Sequence, residues 1–270
     1  MKRSGRRDHP VAITREPSAS LAECELSFVH RQPIDLAYAR AEHAGYCAAL
    51  RGAGLEVVVL PALDALPDAV FVEDTAVVVD ELAVLATPGV PSRAAESEEI
   101  VSTLAVYRSV HRLATPGGTL EGGDVLRLGR TLYVGRSTRT NDVAIGDLRA
   151  LLEPRGYRIR AVPVHGCLHL KTGCTYLGND TVLLNPAWMD ASIFESDGLR
   201  VAAVDPGEPW AGNTLLAGET LLVPAGNPAT LRTLRGLGLQ PVQVGIHEFQ
   251  KAEAGLSCLS IVIEPAQQAR

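Results

Sequence analysis

Cys258 lies in the segment Ala254-Gly255-Leu256-Ser257-Cys258-Leu259-Ser260, where a glycine-containing loop runs into an apolar strand pattern. A thiol there can act as a nucleophile if a histidine reaches it and a carboxylate or amide orients that ring. The competing use of a lone cysteine is as a small buried hydrophobe. Among seven histidines, His169 is the best partner, flanked by Gly166, Leu168, Leu170 and Lys171. His9 and His30 lie near the N-terminus, and His43 and His111 fall on expected helices. That leaves His165 and His247 as competitors by position. Glu121, in Leu120-Glu121-Gly122-Gly123-Asp124, is a carboxylate beside two glycines that permit close approach of other groups, although such a residue can equally be an ordinary turn.

Two further sets carry charge. Asp68, Glu73 and Asp74 sit among apolar residues in Pro67-Asp68-Ala69-Val70-Phe71-Val72-Glu73-Asp74. Buried together, they would need a cation, because an uncompensated carboxylate is costly to desolvate. A cationic ligand suits them better than a metal, since no histidine or cysteine accompanies them. Arg93 and Arg139 occupy matching places, each after a second strand and before the next helix, and together could clamp a carboxylate. A substrate cationic at one end and carboxylated at the other is arginine-like.

These residues are far apart in sequence, so the fold must assemble them. Helical patterns are expected over Ile34–Arg51, Ser92–Leu113, Asp142–Glu153 (Val143, Leu148, Leu151 and Leu152 inward, Asn141 as cap), a short stretch at Ala187–Phe194, and a last one capped by Asn227 with Pro228 leading. A β-rich run follows each, at Leu55–Leu60, Leu113–Thr115, Tyr157–Val164, Leu199–Val204 and Leu239–Val244. Then comes a small polar or nucleophilic residue at the mouth of an apolar strand: Asp74, Asp124, Cys174, Asn213 and Cys258, spaced by 50, 50, 39 and 45 residues. A unit of that length, with strands and one helix, predicts blades around an axis or stacked in a row. Val11–Thr14 can supply the strand missing from the last unit and close a ring. Equivalent loops would then converge at one end of the axis.

The apolar content of 46% is ample for a core and argues against disorder. A net charge of −6 gives no electrostatic reason to bind nucleic acid or an anionic membrane. Residues 1–9 read as a flexible basic tail rather than a secretory signal, and residues 10–270 as one catalytic domain. No apolar run is long enough to span a bilayer. Five scattered cysteines without a CxxC pair predict reduced thiols, a cytoplasmic protein and no zinc site. A monomer and a homodimer are equally compatible with the sequence.

The chain resembles the dimethylarginine dimethylaminohydrolases of the guanidino-group-modifying (pentein) superfamily, over nearly its whole length after residue 10. The resemblance is carried by Ser20-Leu21, Leu66-Pro67-Asp68, Phe71-Val72-Glu73-Asp74, Pro88-Gly89 with Ser92-Arg93, Leu120-Glu121-Gly122-Gly123-Asp124-Val125, Ser137-Thr138-Arg139-Thr140-Asn141, Leu168-His169-Leu170-Lys171 and Leu256-Ser257-Cys258-Leu259-Ser260. It implies a five-bladed α/β propeller of ββαβ units and a Cys258, His169, Glu121 triad. It further implies Asp68, Glu73 and Asp74 on the guanidinium, Arg93 and Arg139 on the α-carboxylate, and the carbonyls of Leu21 and Ala252 on the α-ammonium. Hydrolysis would proceed through a covalent thiouronium to citrulline and an amine, with no cofactor or metal. Cys174 matches Cys258 in the repeat but has no reactive surroundings. An arginine deiminase or another guanidino hydrolase would use the same groups. A non-catalytic pentein, such as the ribosome-binding translation factor of that fold, would have no use for the triad.

Overall fold

The computed structural model describes residues 9–265; the expected tail at 1–9 lies almost wholly outside them. The chain begins with β1 (Val11–Arg15), α1 (Leu36–Gly52) and β2 (Glu56–Leu60), and β2 runs parallel to β1 from the pair Val11–Glu56 to Arg15–Leu60. Next come β3 (Ala76–Val78), β4 (Leu82–Leu85), the short helices α2 (Ala94–Glu98) and α3 (Val101–Leu104), and β5 (Ser109–Arg112). The pattern repeats as β6 (Val125–Leu128), β7 (Thr131–Arg136), α4 (Asp142–Leu152) and β8 (Arg158–Pro163). A single turn, α5 (Leu170–Gly173), leads into β9 (Cys174–Gly178), β10 (Thr181–Leu184), α6 (Ser192–Glu195) and β11 (Arg200–Ala203). The chain finishes with β12 (Leu215–Ala217), β13 (Thr220–Pro224), α7 (Pro228–Gly236), β14 (Val242–Val244), α8 (His247–Lys251) and β15 (Ile261–Ile263).

Every sheet has three strands, the middle one antiparallel to the first and parallel to the third. A parallel third strand requires a crossover, and a helix supplies it each time. In the last sheet β15 pairs antiparallel with β1 (Val11–Ile263, Ala12–Val262, Ile13–Ile261), so the N-terminal strand closes the ring as expected. The result is a five-bladed α/β propeller.

Apolar side chains between blades form the core. The α1 stripe Ala39, Tyr46 and Leu50 is buried, and all of β4 and β10. On α4 the buried face is Ala144, Ile145, Leu148 and Leu152; Leu148 and Leu152 face inward as expected, Leu151 is half-buried, and Val143 is exposed against expectation. Asn141 caps α4 by accepting from the Ala144 amide at 3.1 Å. Asn227 does not cap α7: its amide group donates to the Pro224 carbonyl instead. Glu208, from the neighbouring loop, accepts from the Ala229 and Thr230 amides at 2.8 and 2.7 Å and satisfies that helix end.

The largest correction concerns Ser92–Leu113. Helix ends at Leu104, whose carbonyl accepts from the Tyr107 and Arg108 amides, and 109–112 is strand β5 beside β4. His111 therefore lies on a strand. Tyr107, Val110 and Leu113 are spaced three apart and imitate a helical face across a turn and a short strand.

One short helical turn precedes the first strand of each blade: Val72–Thr75, Gly122–Asp124, α5, Pro209–Gly212 and Ser257–Leu259. The turn at 72–75 packs on those at 122–124 and 257–259, and α5 packs on 122–124 and 209–212. Behind them the first strands surround an axial cavity of about 360 Å³, closed at the turn end by Glu73, Lys171 and Ser257.

Candidate active site

Glu121 enters its turn in extended conformation and is wholly buried. Its Oε2 lies 2.7 Å from His169 Nε2, and its Oε1 accepts from the Gly89 amide at 3.0 Å and from Arg139 Nη1 at 3.3 Å. A carboxylate so deep is tolerable because each oxygen has a partner. Burial by itself would raise its pKa; the hydrogen bond and charge of His169, with Arg93 and Arg139, reverse this and hold the carboxyl well below its usual range.

His169 immediately precedes α5, and its amide donates to Thr172 Oγ1 at 3.3 Å. The next amide, that of Leu170, donates to Asp124 Oδ1 at 2.9 Å, while Ser137 Oγ donates to Asp124 Oδ2 at 2.6 Å. Asp124 thus fixes the backbone from which the imidazole projects. The Nδ1 side of the ring lies 3.7 Å from Asp74 Oδ1. Burial alone would lower the His169 pKa, but Asp74, the Glu121 hydrogen bond and Asp124 outweigh it and raise the pKa to about 9. The ring is therefore imidazolium at neutral pH.

The sign of the linkage follows. A folded pKa above the unfolded value of about 6.5 means the protonated ring stabilises the fold fully below that pH, and that this contribution fades as pH rises toward 9. Wild type is expected to lose on the order of 3 kcal/mol of folding stability between pH 6 and 10 that His169→Gln does not lose. Thermal melts of both proteins across that range check it; parallel pH profiles would contradict it.

The paired glycines give these groups room. A Cβ on Gly123 would stand 2.6 Å from both Asp74 Oδ1 and His169 Nδ1, and one on Gly122 would collide with the Glu73 carbonyl oxygen. Gly123→Ala is expected to displace the imidazole and cut kcat by about 100-fold while the protein still folds, since small displacements of reacting groups cost that much. Steady-state kinetics with a melting curve test it.

Cys258 sits in the turn Ser257–Leu259 and is only 8% exposed. Its Sγ accepts from the Gly255 amide at 3.4 Å. Burial, and after it the charges of Glu73 and Asp74, push its pKa far above that of a free thiol, so it rests protonated. Ser257 next to it is held firmly: its amide donates to Asn213 Oδ1 at 3.0 Å and its hydroxyl to Glu73 Oε2 at 2.7 Å. Lys171 Nζ occupies Glu73 Oε1 at 2.6 Å, and Asn213 Nδ2 reaches the Lys171 carbonyl at 2.8 Å.

All three expected acids are buried, and the protein neutralises two of them itself. Asp74 takes Arg93 Nη1 at 2.9 Å and the Gly123 amide at 3.1 Å; Glu73 takes Lys171. Asp68 accepts from the Glu25 amide at 3.1 Å, and burial raises its pKa. Arg93 is buried with its fork on Glu96, Nε at 3.0 Å and Nη2 at 2.8 Å, so it points inward onto acids in this structure. Arg139 donates to Glu121 and, through Nη2, to Ser27 Oγ at 3.3 Å. Leu21 and Ala252 lie in the apolar cluster that also contains Cys258. Cys174 is wholly buried in the core between the β6–β8 and β9–β11 blades, and all five cysteines are free thiols.

Asp74, Glu121 and His169 bring possible ligand atoms within 4.8 Å of one another, a spacing that could grip a metal. The Arg93 guanidinium already lies on Asp74 and within 3.7 Å of Glu121. A further cation would have to displace it. Lys171, Ser257, Asn213, Glu96 and Glu253 also belong to the site; Lys171 and Ser257 lie in segments that carry the resemblance, Asn213 is the fourth repeat's marker, and Glu96 and Glu253 have no sequence signal.

The family model described as eukaryotic N,N dimethylarginine dimethylhydrolase matches residues 10–189. A Streptomyces coelicolor N(G),N(G)-dimethylarginine dimethylaminohydrolase is 42% identical over 254 residues, covering 93% of this chain and 95% of that protein. A cysteine-to-serine variant of the Pseudomonas aeruginosa enzyme complexed with citrulline superposes with a TM-score of 0.88 at 30% identity, covering 95% of this chain and all of that one. A histidine-to-glycine variant of a dimethylarginine dimethylaminohydrolase, seen as an adduct with S-methyl-L-thiocitrulline, gives a TM-score of 0.89 at 31% identity, with coverage of 94% and 100%.

Proposed function

Because this chain belongs to the dimethylarginine dimethylaminohydrolase family, we propose that it hydrolyses Nω-methylated arginines to citrulline and dimethylamine or methylamine, with Cys258 as nucleophile, His169 as acid and base, and Glu121 orienting the imidazole. The observation that carries this reading is the buried Glu121–His169 pair at 2.7 Å, on a ring whose other nitrogen faces Asp74, one of the two carboxylates whose charges act on the Cys258 thiol.

A guanidinium arriving between Asp68, Glu73 and Asp74 adds positive charge where burial and the charges of Glu73 and Asp74 had raised the thiol pKa. The thiol then loses its proton to solvent, and Cys258 Sγ attacks the guanidinium carbon. His169, already imidazolium, protonates the departing amine as the C–N bond breaks, leaving a thiouronium on Cys258. The now neutral ring takes a proton from water, the oxygen adds to the same carbon, and as the C–S bond breaks the remaining hydroxyl proton passes to sulfur, which returns the Cys258 thiol and releases citrulline. Glu121 stabilises the imidazolium and fixes the ring throughout. The substrate's α-carboxylate would be bound by Arg139, with Arg93 turning from Glu96 to join it, and its α-ammonium by the Leu21 and Ala252 carbonyls. The five free thiols suit a reducing cytoplasm.

A substrate panel tests the reading. Asymmetric dimethylarginine should give citrulline and dimethylamine in equal amounts, with little ammonia from arginine or agmatine. Ammonia from arginine as the main product would make the protein a deiminase, and silence on all three would remove the assignment.

A further inference from the structure

Among described residues with side chains, only Asn179, Asp180 and Glu253 have positive φ. The first two form the β9–β10 hairpin turn, where Asn and Asp are usual. Glu253, at φ +62°, closes α8: its amide donates to the Gln250 carbonyl at 3.1 Å and the Ala254 amide to the Phe249 carbonyl at 3.0 Å. That hydrogen-bond pattern normally carries glycine at this position. A β-carbon there is strained, and strain of this kind persists where the surroundings hold it for a purpose.

The Glu253 side chain suggests that purpose. It is buried, and its two oxygens accept from consecutive amides, Ser27 and Phe28, each at 2.8 Å. The segment 25–28 is tied on its other side by the Glu25 amide on Asp68 and by Ser27 Oγ under Arg139. It therefore straps residues proposed to bind the substrate to the loop that leads to Cys258. The same peptide that positions the Glu253 side chain carries the Ala252 carbonyl.

We propose that Glu253 is a positioning residue that latches the 25–28 strap across the substrate site through the Ser27 and Phe28 amides, its left-handed backbone aiming the carboxylate at the strap and the Ala252 carbonyl at the substrate. This rests on the proposed function. Its consequence is that the latch governs how tightly substrate is held and leaves the chemical steps at Cys258 alone.

Glu253→Gly and Glu253→Gln separate this from a structural role. Glycine relieves the backbone and removes the latch; glutamine keeps the strain and one acceptor. For Glu253→Gly we expect an unchanged or higher Tm, faster hydrogen exchange in residues 25–29, and KM for dimethylarginine raised about tenfold with kcat within twofold, a tenfold change being what one lost charge-assisted contact supplies. Glu253→Gln should fall between it and wild type. Unchanged exchange at Ser27 and Phe28 overturns the latch. A lowered Tm with KM unmoved, or a loss confined to kcat, overturns the positioning role. If the wild type fails to turn over dimethylarginine, the functional reading falls while the exchange comparison still decides the latch.

Discussion

Cys258→Ser should lower kcat by about 10,000-fold or more, because loss of the nucleophile in a cooperating triad removes nearly all of the chemistry at once. The fold should survive. Cys258 is one member of a large apolar cluster, its Sγ has a single hydrogen bond from the Gly255 amide, and a serine hydroxyl can accept the same donor. Parallel variants at Cys174, which lies in a different apolar cluster, and at Cys24 should leave kcat nearly unchanged. Citrulline release measured beside a melting curve gives the answer. Residual activity within tenfold of wild type would place the nucleophile elsewhere.

His169→Gly carries the second large effect, and it splits by substrate. With dimethylarginine the loss should again be about 10,000-fold, since an amine cannot depart unprotonated and no group within reach replaces the imidazolium. From S-methyl-L-thiocitrulline the leaving group is methanethiolate, which departs without a proton, so this compound should still load Cys258. The adduct should then persist, because the base that activates water is gone. Glu121 keeps the Gly89 amide and Arg139 in this variant, so its charge stays partnered and the protein remains folded. Intact-protein mass after mixing with the thiocitrulline reads the outcome. Rapid turnover of that compound would assign the hydrolytic base to another residue.

The ring was legible in the sequence because each blade repeats a polar residue at the mouth of an apolar strand, and because Val11–Thr14 is an apolar strand with no partner in its own repeat. What misled at Ser92–Leu113 was periodicity. Ile100 and Leu104 do lie on helical turns, but Tyr107, Val110 and Leu113 continue their spacing by accident, and β5 is fixed by pairing with β4 rather than by local preference. The α7 cap was hidden for a similar reason: Glu208, twenty residues upstream, does the work that Asn227 stood ready to do. At the site, Cys258, His169, Glu121 and the acids were visible as unusual residues beside glycines and apolar runs. Their partners were not. Lys171 and Ser257 look like ordinary polar residues until the fold closes both onto Glu73. Arg93 was visible as an arginine with Glu96 three residues on, but its engagement with Asp74 belongs to tertiary structure alone. Glu253 gave no signal, since a left-handed backbone cannot be read from a glutamate.

Rapid acid quench of the wild type during turnover of asymmetric dimethylarginine, followed by peptide mass mapping, tests the covalent route most directly. A thiouronium on the peptide containing Cys258, formed and lost at rates no slower than turnover, is the predicted result. Full turnover with no adduct at any time, or an adduct on Cys174 or Cys24 instead, would contradict it.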